Sequence, residues 1–234
     1  MKQENYIRGM IMIILSAFFF ACMNVSVRLA GDLPSVQKSF FRNLVAAFFA
    51  AIILIKNHTA PKVEKTQWGS LFLRCAFGTL GILCNFYAID HLLVADASIL
   101  NKLSPFFAII FSFLLLKEKI KPAQAMCVIL AFVGCLFVVK PGFENAHLIP
   151  ALIGVCGGLG AGIAYTMVRK MGTHGVKGPV IVFYFSCFSC IIVIPWIVFH
   201  YQPMSLRQLF TLLLAGLFAA GGQHIILIHR STSF

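Results

Sequence analysis

Acidic side chains are scarce in this chain, with seven Asp and Glu against nineteen Lys and Arg, and charged residues make up only 11% of its 234 positions. The seven acids, Glu4, Asp32, Glu64, Asp90, Asp96, Glu118 and Glu144, all fall at the ends of apolar runs or between them. That leaves no buried carboxylate pair for acid–base catalysis and no acid inside a run to carry a coupled proton. There is no His-Glu-x-x-His, and none of the seven histidines falls inside an apolar run with a partner, so a metal site is not expected. An enzyme and a bound cofactor are accordingly not expected. The eight cysteines, Cys22, Cys75, Cys84, Cys127, Cys135, Cys156, Cys187 and Cys190, lie inside apolar runs, which speaks against a disulfide framework. Cys187 and Cys190 form a Cys-x-x-Cys with no His or charge beside it and read as packing residues.

Also missing is any polar stretch long enough for a soluble domain. Hydrophobic residues make up 60% of the chain and its mean hydropathy is +0.92. A membrane helix needs about 20 mostly apolar residues. Eight such segments can be marked, at 9–27, 36–55, 71–89, 97–116, 123–139, 148–168, 180–199 and 209–228. The fold class expected is an all-α polytopic membrane protein in a lipid bilayer. The first segment follows Lys2 and Arg8 as a signal peptide would, but it is long and lacks a small-x-small cleavage site, so it reads as an uncleaved first helix.

A net charge of +12 would point to nucleic acid in a soluble protein. Here the placement of the charges explains it, and no nucleic-acid partner is expected. With the N-terminus cytoplasmic, the inner segments hold Lys2, Arg8, Lys56, Lys62, Lys65, Lys117, Lys119, Lys121, Arg169, Lys170, Lys177 and Arg230. The outer ones hold only Arg28, Lys38, Lys140 and Arg207. Positive residues favour the cytoplasmic side, which sets the orientation.

Arg42, Arg74 and Lys102 remain, inside spans. A charge in hydrocarbon costs about 3 kcal/mol on insertion scales, so each needs a reason. Two readings stay open for Lys102 and for Arg42: facing a polar cavity, or reaching to the nearer surface. Arg74, close to the cytoplasmic end, reads as a snorkelling residue. Around Lys102 stand Asn101, Ser104 and Pro105, and just upstream Asn85 and Tyr87; Pro105 is expected to kink its helix and free a carbonyl one turn earlier. Asn24 adds a polar group to the first helix.

The sixth segment reads Gly154-x-x-x-Gly158-x-x-x-Gly162, a stripe of bare backbone suited to close helix packing. Shifting the first segment by 141 residues sets Arg28 on Arg169, Ala17 on Gly158, Ala21 on Gly162 and Asn24 on Tyr165, and continues by pairing Gly31 with Gly172. The chain thus divides into a five-helix repeat, 1–142, and a second of three helices, 148–234. A unit that restarts after an odd number of helices is inverted in the membrane. Inverted repeats are a transporter signature, with the substrate near the bilayer midplane.

Phe41-Arg42-Asn43-Leu44, Phe86-Tyr87-Ala88-Ile89, Ala95, Ala97-Ser98, Leu103-Ser104-Pro105-Phe106, Leu116-x-Glu118 and Lys140-Pro141-Gly142 together resemble the EamA-type members of the drug/metabolite transporter superfamily. That resemblance implies ten helices in two inverted repeats, an inner-membrane location and a small-molecule substrate. The second repeat stops at Phe234 after three helices, so the chain reads as C-terminally truncated. Two functions stay open: a secondary exporter of a small anionic or zwitterionic metabolite working by alternating access, and a non-functional remnant of such a transporter. In the first, Asn24, Arg42, Asn85, Tyr87, Asn101, Lys102 and Ser104 would line the substrate site, with Arg42 and Lys102 holding a negative group. A homodimer is left open.

Overall fold

Runs this apolar satisfy their backbone in lipid only by closing it on itself, and the described residues form helices joined by short links. The computed structural model describes residues 2–117, 122–139 and 148–231. In chain order the helices are α1 (Lys2–Leu29), α2 (Ser35–Lys56), α3 (Trp68–His91), α4 (Val94–Asn101), α5 (Ser104–Leu116), α6 (Pro122–Val139), α7 (Leu148–Thr173), α8 (Gly178–His200) and α9 (Leu206–Ser231). Six stretches of the described residues are long and apolar enough to cross a membrane: Met10–Leu29, Ser35–Lys56, Lys65–His91, Val94–Leu116, Leu148–Thr173 and Gly178–His200. The apolar part of α6, Pro122–Gly134, is shorter, and α9 covers the eighth expected segment. The protein is a multi-pass membrane protein.

Large apolar side chains face outward, among them Phe48 (65% exposed), Ile55 (75%) and Phe199 (82%), as suits a lipid-facing surface. Polar side chains are turned in, including Gln37, Lys38, Ser39, Arg42, Asn43, Arg74 and Asn85. Arg74 therefore does not snorkel; it is buried on α3, with Tyr165 of α7 as an electrostatic neighbour.

The helices form two packing units. One contains α1, α2, α8 and α9, in which α1 packs on α9 and α2 on both α8 and α9. The other contains α3 to α7, in which α3, α4 and α5 all pack on α7. The 141-residue offset carries α1 onto α7, α2 onto α8 and α3 onto α9. Under that mapping, α1 on α9 and α3 on α7 are the same contact made twice, and α2 on α8 is a helix against its own counterpart. This is the pairing an inverted repeat produces. Each unit thus mixes helices from the two halves of the sequence.

Glycine ends the first helix of each repeat, though not at paired positions. Gly31 follows α1 with φ +70°, and Gly175 follows α7 with φ +78°, a left-handed conformation that costs glycine little. Gly172, which the offset sets on Gly31, is still helical, so α7 runs farther than its counterpart before the turn.

Candidate functional site

The first two turns of α2 place Gln37, Lys38, Ser39, Arg42 and Asn43 in buried positions, followed by Ala46, Ala50 and Leu54 along the same helix. Recurrence at intervals of three to four residues puts one polar patch and then one small-residue patch on the inward face. Against the polar part, α8 presents Ser186, Ser189 and Cys190, all buried. Asn43 Nδ2 donates to Ser189 Oγ at 2.7 Å and reaches Ser39 Oγ at 3.4 Å. Arg42 donates from its guanidinium to Asn43 Oδ1. One turn toward the start of α2, the Cys190 thiol lies 3.8 Å from the Phe40 carbonyl oxygen. At the end of the seam Gln37 bonds the Gln202 backbone twice, donating to its carbonyl at 2.9 Å and accepting from its N–H at 3.0 Å. Asn24 is buried on α1, whose partner in the unit is α9.

In the second unit α7 is the common support. Two of its faces are bare backbone. Gly157 and Gly160 lie against α3, where a Cβ on Gly157 would stand 3.1 Å from the Asn85 nitrogen and one on Gly160 2.9 Å from the Phe77 carbonyl oxygen. Gly154, Gly158 and Gly162 lie against α4 and α5, with Leu100 and Phe107 as neighbours. Thr166 then donates to the Ala108 carbonyl at 3.2 Å and to Gly162 of its own helix at 3.0 Å.

Asn85 is buried beside this crossing and its Oδ1 has no hydrogen-bond partner. An unsatisfied amide oxygen inside a protein costs about 1–3 kcal/mol, so it marks a place where a donor is missing. Tyr87, two residues on, points to another side of α3 and stacks on His91 with ring centroids 4.0 Å apart. Asn101, Lys102 and Ser104 meet where the chain breaks between α4 and α5. Pro105 sits in the first turn of α5, a position that needs no N–H, and Lys102 and Leu103 form the break itself. The Leu100 carbonyl there accepts from Leu103 N–H at 3.2 Å and lies on Gly158, where a Cβ would come within 2.8 Å of it. Lys102 is exposed, Asn101 half-buried and Ser104 buried.

The structure thus brings Asn101, Lys102 and Ser104 together at one break and stations Asn85 on the helix packed across α7 from it. Arg42 donates to its neighbour Asn43, and Asn43 in turn bonds Ser39 and Ser189, two residues that sequence reasoning passed over. The i, i+4 spacing of Ser39 and Asn43 was the available signal. Among the described residues, no group of His, Cys, Asp or Glu could hold a metal ion.

The model of the EamA-like transporter family matches residues 7–140. The pseudopaline exporter CntI of Pseudomonas aeruginosa (strain UCBPP-PA14) is 32% identical over 220 residues, which cover 92% of this chain and 75% of that protein. A riboflavin transporter of Brucella anthropi is 27% identical over 161 residues, covering 68% of this chain and 56% of that one. A solved crystal structure superposes with a TM-score of 0.67 at 11% identity, over 94% of this chain and 79% of its own, which speaks for the fold alone.

Proposed function

The chain belongs to the EamA-like transporter family, whose members move small molecules across a membrane, and from that premise we propose that its substrate is a small anionic or zwitterionic metabolite carried outward by alternating access. The observation that carries this reading is Arg42. It is buried on α2 and donates to the Asn43 amide oxygen in the seam against α8, which sets a guanidinium inside the membrane-spanning part of the fold. A desolvated guanidinium favours an anion strongly and offers it planar, paired donors. In the other packing unit Lys102, exposed at the break between α4 and α5, is a separate cation of the kind that discontinuous membrane helices present to substrates. Within the unit that holds Lys102, Asn85, Asn101 and Ser104 offer neutral donors and acceptors, and Asn24 does so within the unit that holds Arg42. Outward transport is supported by the name of the CntI relative, an exporter.

The lysine and arginine distribution supports a cytoplasmic N-terminus. Reconstitution into proteoliposomes with a radiolabelled panel tests the substrate class. The panel holds carboxylates, amino acids, their uncharged amide analogues, pseudopaline and riboflavin. Transport of charged members with the matched neutral amides excluded is the expected result. Equal transport of acid and amide would sink the proposal.

A further inference from the structure

Asn43 is completely buried, and both ends of its amide are engaged. The oxygen accepts from Arg42, while the amino group donates to Ser189 of α8 and, at the limit of hydrogen-bond range, to Ser39 one turn back on α2. Chemistry fixes which end goes where. A guanidinium carries only donors, so the atom facing it must be the amide oxygen, and the amino group is left for hydroxyls that can accept. Neighbouring residues on a helix project about 100° apart and do not normally face each other. Arg42 reaches Asn43 only by folding along the surface of α2, so the contact holds its guanidinium close to that helix.

The choice of Asn matters for charge. An aspartate at the same place would anchor the guanidinium equally well but would bring a negative charge with it, whereas the amide anchors it and adds no charge. Ser189 then ties that anchor to α8, the repeat-related counterpart of α2. We infer that Asn43 is a positioning residue that holds the charged Arg42 guanidinium at one point in the α2–α8 seam and links that point, through Ser189, to the second repeat. The inference rests on the reading that Arg42 meets the substrate only in what it means for transport; the positioning itself is a property of the seam.

The test uses the full chain in lipid nanodiscs labelled with 13C,15N-arginine, the Arg42 signal being identified by its loss in Arg42→Lys. The wild type should show Arg42 with slow rotation about its guanidinium bonds. Asn43→Leu should collapse that signal into the averaged pattern of exposed arginines, Asn43→Asp should restore it, and Ser189→Ala should loosen it in part. An unchanged Arg42 signal in a monodisperse Asn43→Leu protein overturns the proposal. Where Asn43→Leu does not fold, Ser189→Ala takes its place, since it removes one hydroxyl, and an Arg42 signal identical to wild type then overturns it. In efflux of pseudopaline from proteoliposomes, Asn43→Leu should raise KM about tenfold with kcat little changed, and should add nothing to Arg42→Gln. If the spectrum loosens as expected while Arg42→Gln transports like the wild type, the substrate reading of Arg42 fails and the positioning role of Asn43 stands.

Discussion

Ser16 donates its hydroxyl to the carbonyl oxygen of Gly222 at 2.9 Å, closing α1 on α9. The offset of 141 residues carries this pair onto Gly157 and Gly81, where α7 closes on α3 with no side chain between them. A Cβ on Gly157 would stand 3.2 Å from the Gly81 carbonyl oxygen, so one copy of the crossing is held by a hydroxyl and the other by bare backbone. The two copies have kept the crossing and changed what fills it.

Exchanging their residues should therefore be asymmetric. Ser16→Ala loses one membrane hydrogen bond and should cost about 0.6 kcal/mol. Gly157→Ser copies the residue of the other repeat into a space that lacks room for it, and overpacking of this kind costs about 1–3 kcal/mol. Thermal unfolding in detergent reads both; a Gly157→Ser protein as stable as Ser16→Ala would show the α3–α7 crossing to be looser than described.

Gly162 and Gly172 lie on the same helix and should respond in opposite ways. A Cβ at Gly162 would stand 2.5 Å from Phe107 Cβ and 3.1 Å from the Ala108 nitrogen, while one at Gly172 meets nothing within 4 Å. Gly162→Ala should lower the melting temperature by the equivalent of about 1–3 kcal/mol, and Gly172→Ala should stay within about 0.5 kcal/mol of wild type.

Gln37 and Gln202 are far apart in sequence and bonded twice. Gln37→Leu removes both bonds, leaves the Gln202 backbone to find other partners and should cost about 1–3 kcal/mol. Hydrogen exchange at the Gln202 amide gives the local readout, with exchange about tenfold faster than in the wild type expected. Gln37→Glu keeps the acceptor and should retain part of the protection.

The inward N-terminus is tested with an impermeant maleimide on intact cells. Asn57→Cys, just after α2, should stay unlabelled, and Tyr201→Cys, in the exposed link between α8 and α9, should react. The reverse pattern would invert the topology.

Spans, the inverted repeat and the Gly154-Gly158-Gly162 stripe were legible because each is written as a local periodicity. The second stripe, Gly157 and Gly160, was equally visible as letters, yet nothing local says which neighbour a bare face will meet; α3 decides that. At Pro105 the sequence indicated an interruption, and the form it takes, two helices divided at Lys102 and Leu103, depends on Gly158 receiving the Leu100 carbonyl. Arg42 stood out as a charge in a span, but its acceptor is the adjacent residue, a pairing that helix geometry disfavours and only a long side chain can make. Ser189 was hidden inside a run read for its cysteines.

The central claim is that cationic side chains select the substrate, and the most direct measurement is initial-rate transport of the panel by Arg42→Gln and Lys102→Met in proteoliposomes, with melting temperatures recorded alongside. The account expects each variant to keep its fold and to lose at least about tenfold in kcat/KM for the anionic or zwitterionic substrate, a loss of roughly 1.4 kcal/mol or more in transition-state stabilisation. Wild-type rates in both variants would contradict it.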